Sequence, residues 1–375
     1  MYFKYTILLC LFYFYVIKII CTESTSKLQQ LEGEMSTEEE ILDTPQSMPK
    51  TVVAPEQKPL MIQLLALSVA MARRAGEIIR DITLNGKMQV VYKKENDPQT
   101  IADRSAQRSI LASIKRHFPN INVAAEETDE ESLDTNVPDE WLVTELDSTI
   151  MELECPQELR NITEEQVTFW IDPLDGTSGY THGHIDHVTV LIGICVDEEA
   201  IAGVIHQPYH IERRTLWGLV GYGFGGFELQ EPPTKTVYVT TSSVYSTELA
   251  TFLDSLEKPC VIENAIGVGY KVVYILDGKA IAYVHPTSIS NRWDTAAPEA
   301  VLRAAGGQLT DRYGDKYCYS YNNKIDPLNK HGIIATGPKL NHGEFMEQIK
   351  AINSKQMASQ KIIEGELSSE EEISD

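Results

Sequence analysis

Three features of the 375-residue chain predict a layered α/β fold of the α+β kind, in which helices cover sheets. From Leu60 to Ile82 the residues Leu64, Leu65, Leu67, Val69, Ala70, Ala75 and Ile78 recur at helical spacing, which makes one amphipathic helix. Two apolar runs, Val188 to Val196 and Ile201 to Gln207, flank the acidic turn Asp197-Glu198-Glu199 and read as a β-hairpin. Beyond residue 232, strand-like and helix-like runs alternate, as a second α/β unit requires.

Taken in order, residues 1–24 carry Lys4, the apolar Tyr5 to Ile17, Lys18 and the small polar Cys21-Thr22-Glu23-Ser24. That apolar core of about 13 residues is signal-peptide length, shorter than the roughly 20 that a membrane span needs. The expectation is therefore the secretory pathway, either secreted or held in the Golgi or endoplasmic-reticulum lumen; a cytoplasmic location is the alternative. Membrane attachment would follow only if the segment stays uncleaved, with Ile19, Ile20 and Cys21 extending the span and Lys18 snorkelling. Residues 25–58 are polar, acidic and proline-containing, the composition of a disordered linker. A second helix is expected from Ala102 to His117, and strands from Ile121 to Ala125 and from Val167 to Ile171. The glycine-rich Gly221 to Phe227 lies between β-rich runs and opens no amphipathic helix, so a hairpin or bulge is expected there, not a dinucleotide loop. The later elements expected are Val237 to Thr241, Ser246 to Leu256, Val261 to Glu263, Tyr270 to Leu276, Ala280 to Val284, Asp294 to Ala305, Gly332 to Ala335 and Leu340 to Ile352. This divides the chain into a metal-binding half at 59–232, a substrate-binding half at 233–356 with the catalytic cleft between them, and an acidic tail at 357–375.

The net charge of −23 argues against nucleic-acid polymers as partners. Much of it lies in Glu126 to Glu165 and in Glu364 to Asp375. Six cysteines in a chain this long do not make a disulfide scaffold, and Cys195 stands in an apolar strand where a buried thiol is expected. Asn161-Ile162-Thr163 is a glycosylation sequon, in keeping with secretory targeting. The cluster His182-Gly183-His184-Ile185-Asp186-His187 has the residue types of a zinc site, but its place in the chain argues against one.

The stretch Trp170-Ile171-Asp172-Pro173-Leu174-Asp175-Gly176-Thr177 sets two carboxylates three residues apart where an apolar strand ends. Pro173 fixes its own φ and pushes Asp172 toward an extended conformation, so the strand should stop at Ile171 and turn. Gly176 lets backbone approach a ligand, and Thr177 adds a hydroxyl beside amides that open a helix and favour an anion. Asp-Pro and Asp-Gly steps also make ordinary turns. Two further acidic sites, Glu126-Glu127 and Trp293-Asp294, can converge on the same place, with Asp294 a candidate helix cap. Oxygen ligands beside free amides suit Mg²⁺ and phosphate.

With these motifs the chain resembles the metal-dependent, lithium-sensitive phosphatases that include inositol monophosphatase and fructose-1,6-bisphosphatase. These share an acidic pair, an Asp-Pro-Leu-Asp-Gly-Thr and a later Trp-Asp. Within the group it looks most like the 3′(2′),5′-bisphosphate nucleotidases, through Tyr180-Thr181, Val188 to Ile194, Ala200 to Ile205, Gln207-Pro208-Tyr209 and Ala297-Pro298-Glu299, over roughly residues 60 to 350. The resemblance implies an α-β-α-β-α sandwich, a monomer, and two or three Mg²⁺ ions per site. Glu126, Asp172 and the Leu174 carbonyl would hold one ion, Asp172, Asp175 and Asp294 a second, with a weaker third near Glu126. Asp103 and Thr177 would orient and deprotonate the attacking water. The substrate would be a small phosphorylated molecule contacted by Gly176, Thr177, Ser242, Tyr245, Gly267, Lys271 and Asp294; Tyr245 replaces a histidine of close relatives and can stack on adenine. The implied activity is removal of the 3′-phosphate from adenosine 3′,5′-bisphosphate or its sulfated form. The alternatives are an inositol polyphosphate 1-phosphatase or inositol 1,4-bisphosphate phosphatase, and an inactive secreted binding protein.

Overall fold

The strand Val167–Asp175 is buried along its whole length, and its side chains divide between two hydrophobic cores. Phe169 and Ile171 belong to one core and Trp170 to the other, following the two-residue period of a strand. The structure is a computed structural model describing residues 58–86, 89–94, 97–241, 247–256, 259–320, 326–352 and 354. The expected leader, the linker up to residue 57, the acidic tail, Ser242 and Tyr245 lie outside the described residues. No helix among the described residues is long and apolar enough to cross a membrane.

In chain order the strands are β1 (Val91–Lys94), β2 (Asp97–Gln99), β3 (Asn122–Ala125), β4 (Val167–Asp175), β5 (Thr189–Val196), β6 (Glu199–His206), β7 (Thr215–Leu219), β8 (Gly223–Gly225), β9 (Val237–Thr241), β10 (Val261–Ala265), β11 (Ala282–His285), β12 (Gln308–Thr310) and β13 (Ile333–Thr336). The principal helices are α1 (Leu60–Leu84), α2 (Ile101–His117), α3 (Thr177–Thr181), α4 (Thr247–Asp254), α5 (Val268–Leu276), α6 (Arg292–Ala304) and α7 (342–352). β1 and β2 form a two-stranded ribbon, β3 to β8 a six-stranded sheet in sequential order, and the rest a five-stranded sheet ordered β10-β9-β11-β13-β12.

Five layers result. One core joins α1 and α2 to the six-stranded sheet, through Leu64, Leu65 and Ile110 against Phe169, Ile192 and Val204. A second lies between the sheets, where Val272 of α5 and Ala297 and Val301 of α6 meet Leu191 and Ile205 on one side and Val239 and Tyr283 on the other. The third covers the outer face of the five-stranded sheet with Phe252 of α4 and Phe345 and Ile349 of α7. This is the α-β-α-β-α order expected.

The middle layer fits because three strands lack side chains where α6 crosses them. Gly193 pairs with Gly203 and Gly203 with Gly218, so the three form a row across β5, β6 and β7. A Cβ on Gly203 would lie 2.4 Å from the Ala297 carbonyl oxygen, and one on Gly218 would lie 2.7 Å from Val301 Cα. The helix backbone therefore rests directly on the sheet, which only glycine permits.

Several boundaries differ from the sequence expectation. The strand expected to stop at Ile171 continues as β4 to Asp175, and the pairing with β5 slips between Asp172 and Asp175. Pro173 is accommodated at that bulge, where its missing N–H leaves no ladder position unfilled. α6 begins at Arg292 rather than Asp294: Asn291 is its N-cap, and Asp294 at the third helical position completes a capping box by accepting the Asn291 N–H at 2.6 Å. α5 begins at Val268, two residues before the expected Tyr270, because Gly267 adopts φ +78° and turns the chain into the helix. Gly221 to Phe227 makes the β7–β8 hairpin. The β1–β2 ribbon and β12 had no sequence expectation.

Two measurements probe this architecture. Gly203→Ala should lower the free energy of unfolding in a denaturant titration by about 1–3 kcal/mol, since neither helix nor sheet can retreat without repacking the middle layer. Glu299 of α6 is buried, and burial pushes its carboxyl up to about 7 while the Tyr319 hydroxyl, donating to it at 2.7 Å, pulls the other way. A folded value above the ordinary 4.5 means that its stability contribution is complete below that pH and is lost as pH rises through about 7. Glu299→Gln should therefore shrink the fall in Tm between about pH 4.5 and pH 7.

Candidate active site

Parallel pairing of β3 with β4 sets the first two acids side by side. Ala125 is the partner of Ile171, and the Glu126 N–H continues the ladder by donating to the Ile171 carbonyl at 3.0 Å, so Glu126 flanks Asp172. The two carboxyls are close enough for each to act on the other's charge. The bulge in β4 then brings Asp175 round toward Asp172, while the Leu174 N–H donates back to Asp172 Oδ1 at 2.9 Å. Asp294 arrives from the first turn of α6. Ligand atoms of Asp172, Asp175 and Asp294 all lie within 4.8 Å of one another, the one such group among the described residues.

Asp175 is held by the amino terminus of α5 and by Thr189 of β5. Its Oδ1 accepts the Val268 N–H at 3.1 Å, and its Oδ2 accepts the Gly269 N–H at 2.7 Å and the Thr189 hydroxyl at 3.0 Å. The carboxylate thus sits on the amino terminus of α5, where unpaired amides and the helix dipole favour a negative charge. Gly267 is part of this contact, because a Cβ there would lie 2.7 Å from Asp175 Oδ2. Lys271, one turn further along, is buried; its ammonium donates to the Gly267 carbonyl at 3.0 Å and lies 5.1 Å over the Tyr283 ring. Burial lowers the Lys271 amine to about 8, while Asp175 and Asp294 oppose that shift. Gly267 packs against Asp175, and the Lys271 charge acts on the same carboxylate.

Thr177 begins α3, which follows Gly176 at φ +89°. Its hydroxyl lies 3.0 Å from Asp103 Oδ1 and 2.9 Å from the Leu174 carbonyl oxygen, two acceptors for one proton. Asp103 is buried at the third position of α2, where its Oδ2 accepts the Thr100 N–H at 2.8 Å. Burial pushes its carboxyl up to about 6, and the hydrogen bonds from Thr100 and Thr177 hold it from rising further. A carboxyl with that affinity for a proton, one hydroxyl away from the cluster, is suited to take a proton from it.

Electrostatics define what the cluster can hold. Burial first, and then the charges of Glu126, Asp175 and Asp294, push Asp172 well above the usual carboxylate range. Burial and the charges of Glu126 and Asp175 do the same to Asp294. Like charges packed this closely are relieved by a cation with a preference for oxygen ligands, so the donor set fits a hard divalent ion. One cation is already present: the Lys93 ammonium of β1 lies 2.8 Å from Glu126 and 3.0 Å from the buried Glu127. Lys93 was not picked out from sequence, and neither was Thr189. Both act over long chain separations, and nothing local marks them. Of the histidine cluster, His182 bonds Ser178 within its own turn, and no histidine joins a metal-competent group among the described residues.

The model of the inositol monophosphatase family matches residues 61–354. The chain belongs to that family. Its relatives include the 3′(2′),5′-bisphosphate nucleotidase 1 of Homo sapiens, 37% identical over 287 residues that span 74% of this chain and 91% of that protein. The Golgi-resident adenosine 3′,5′-bisphosphate 3′-phosphatase of Bos taurus is 28% identical, over 76% of this chain and 79% of its own. The solved structure of a Thermotoga maritima IMPase has the same fold, with a TM-score of 0.55 at 22% identity over 78% of this chain and 98% of that one. The chain is accordingly a phosphatase enzyme, and its clustered carboxylates can bind a metal.

Asp294→Asn should weaken divalent-ion binding, measured by calorimetry, by at least about tenfold. It should leave the far-ultraviolet spectrum unchanged, because an amide oxygen still caps the Asn291 N–H. Equal affinity in the variant would remove Asp294 from the metal set.

Proposed function

We propose that the chain is a Mg²⁺-dependent 3′(2′),5′-bisphosphate nucleotidase that hydrolyses the 3′-phosphate of adenosine 3′,5′-bisphosphate, and its sulfated form, to release inorganic phosphate. The observation that carries this reading is the Thr177–Asp103 pair, with its 3.0 Å hydrogen bond, standing beside the Asp172, Asp175 and Asp294 cluster. The names of the 37% and 28% identical relatives supply the substrate class.

In this reading Glu126, Asp172, Asp175, Asp294 and the Leu174 carbonyl hold two or three Mg²⁺ ions, which when bound supply Lewis-acid activation of water and neutralise the phosphoryl charge. The protein's own groups do the rest. Thr177 Oγ1 accepts a proton from the nucleophile and passes its own to Asp103 Oδ1. Burial raises the proton affinity of Asp103 and so suits it to accept that proton. The amides of Gly176 and Thr177, at the start of α3, would donate to a phosphate. Asp175, clamped by three donors, keeps its carboxylate plane fixed as charge moves through the site.

The Golgi-resident relative, the signal-like segment and the exposed Asn161 of the sequon support a secretory location. The same metals acting on an inositol bisphosphate are the competing reading. Phosphate release from adenosine 3′,5′-bisphosphate should exceed that from inositol 1,4-bisphosphate, need Mg²⁺ and fall with Li⁺; the reverse preference would overturn the nucleotidase assignment. Asp103→Asn and Thr177→Ala, compared at matched folded fraction, should each lower kcat by about 100-fold or more with a smaller change in KM. Near-normal turnover in either would exclude the proton route.

A further inference from the structure

Two motifs of the sequence, Tyr180-Thr181 and Gln207-Pro208-Tyr209, stand outside the proton route, and the fold brings their tyrosines to one atom. Thr83, in the last turn of α1, has its hydroxyl oxygen 2.7 Å from the Tyr180 hydroxyl and 2.5 Å from that of Tyr209. The same Oγ1 donates to the Ile79 carbonyl at 2.8 Å. A hydroxyl has one proton and two lone pairs, so with its proton committed Thr83 accepts from both phenols and is saturated. Tyr180 is fully buried, and burial raises its phenol above the ordinary value, which keeps it a donor. Arg80 of α1 donates to the Pro208 carbonyl at 3.2 Å and ties the Tyr209 segment to the same end of the helix.

This junction bears on Thr177 through α3. That helix has five residues, too few to hold a direction of its own, so contacts outside it set its rotation. Thr177 and Tyr180 are three residues apart and share a face. The charge of Asp103 acts on the Tyr180 phenol as well, so both residues of that face border the same carboxylate. Elsewhere α3 rests on Ile266: a Cβ on Gly179 would lie 3.2 Å from Ile266 Cδ1. Ile266 is fixed in turn, because its N–H donates to His187 Nδ1 at 3.2 Å, and the His187 ring stacks on Tyr270 at 4.1 Å in an aromatic ladder that ends at His184. α3 is therefore clamped between the end of α1 and the start of α5.

The rotation matters because the Thr177 proton has two acceptors. On Asp103 Oδ1, at 3.0 Å, it can be passed on; on the Leu174 carbonyl, at 2.9 Å, it only closes a turn. The two distances differ too little to choose, so a small turn of α3 decides. We infer that Tyr180 is a positioning residue for phosphate-ester hydrolysis: by anchoring α3 on Thr83 it holds the Thr177 hydroxyl on Asp103. No proton travels through the tyrosines, since that of Thr83 is committed to Ile79. The role rests on the proposed Thr177–Asp103 route, and it is the same for any phosphomonoester the site accepts.

The test uses the full chain with Mg²⁺ and whichever of adenosine 3′,5′-bisphosphate and inositol 1,4-bisphosphate it hydrolyses, with variants compared at matched folded fraction. Tyr180→Phe, which keeps the ring and loses the donor, should lower kcat roughly tenfold while KM stays within about twofold. Thr83→Val should do the same, and Thr83→Ser, which keeps the acceptor, should restore the rate. In the Thr177→Ala background, Tyr180→Phe should lower kcat by less than about twofold further, because the group it positions is gone. An equal loss in both backgrounds means that Tyr180 supports only the fold and overturns the positioning role, as does an unchanged kcat in Tyr180→Phe. Full activity in Thr177→Ala overturns the proton route and the positioning role with it. Hydrolysis of neither ester by the unaltered chain overturns the nucleotidase reading and this role together.

Discussion

The row of glycines at 193, 203 and 218 is the constraint on which the rest of the structure depends. These residues open a channel across three paired strands, and α6 lies in it with its backbone against the sheet. That depth sets where the first turn of α6 ends up. Asp294 reaches Asp172 of β4 because no side chain holds the helix off the sheet. The same helix carries Ala296, Ala297 and Ala300 on its buried face, small residues that complement the missing side chains of the strands. Packing and chemistry are thus joined in one contact, and a change of one methyl group on the strand side reaches the carboxylate cluster through the helix.

The second organising interaction is the capture of Asp175 by α5. A buried carboxylate needs donors, and here it takes two helix amides and a threonine hydroxyl. This couples the β4 bulge to the region that follows β10, so the site is assembled from both sheets. Gly267 and Gly269 serve that approach: a side chain at Gly267 would collide with Asp175, and one at Gly269 with Thr189. Lys271 and Lys93 bring the positive charge that several acids in one place require, Lys271 from within α5 and Lys93 from the β1–β2 ribbon.

Much of the fold was legible in the sequence. The long helix at Leu60, the β5–β6 hairpin and the alternation of elements after residue 232 rest on apolar periodicity, and periodicity survives folding because burial selects it. Boundaries were less legible. Pro173 reads locally as a strand terminator, yet a bulge absorbs it; Asp294 reads as a cap, yet Asn291 takes that role and Asp294 the third position. In both cases the local rule was sound, and a neighbouring element supplied a second way of satisfying it. The gathering of Glu126, Asp172, Asp175 and Asp294 could be anticipated from three short motifs. Lys93 and Thr189 could not, since each finds its partner from an unremarkable strand.

The sequence by itself determined the layered α/β class and the acidic motifs, because these depend on residue type and short-range spacing; the Thr177–Asp103 pair, 74 residues apart, followed only from the family resemblance. Only the tertiary structure decided how the carboxylates meet, which cations stand beside them, and that Gly267 and Lys271 support Asp175. It also turned the histidine cluster, unpromising as a metal site, into an aromatic ladder with Tyr270. The reason is distance along the chain: His187 and Tyr270 stack across 83 residues of sequence separation, and no local pattern encodes which strand ends share a corner once two sheets close on two helices.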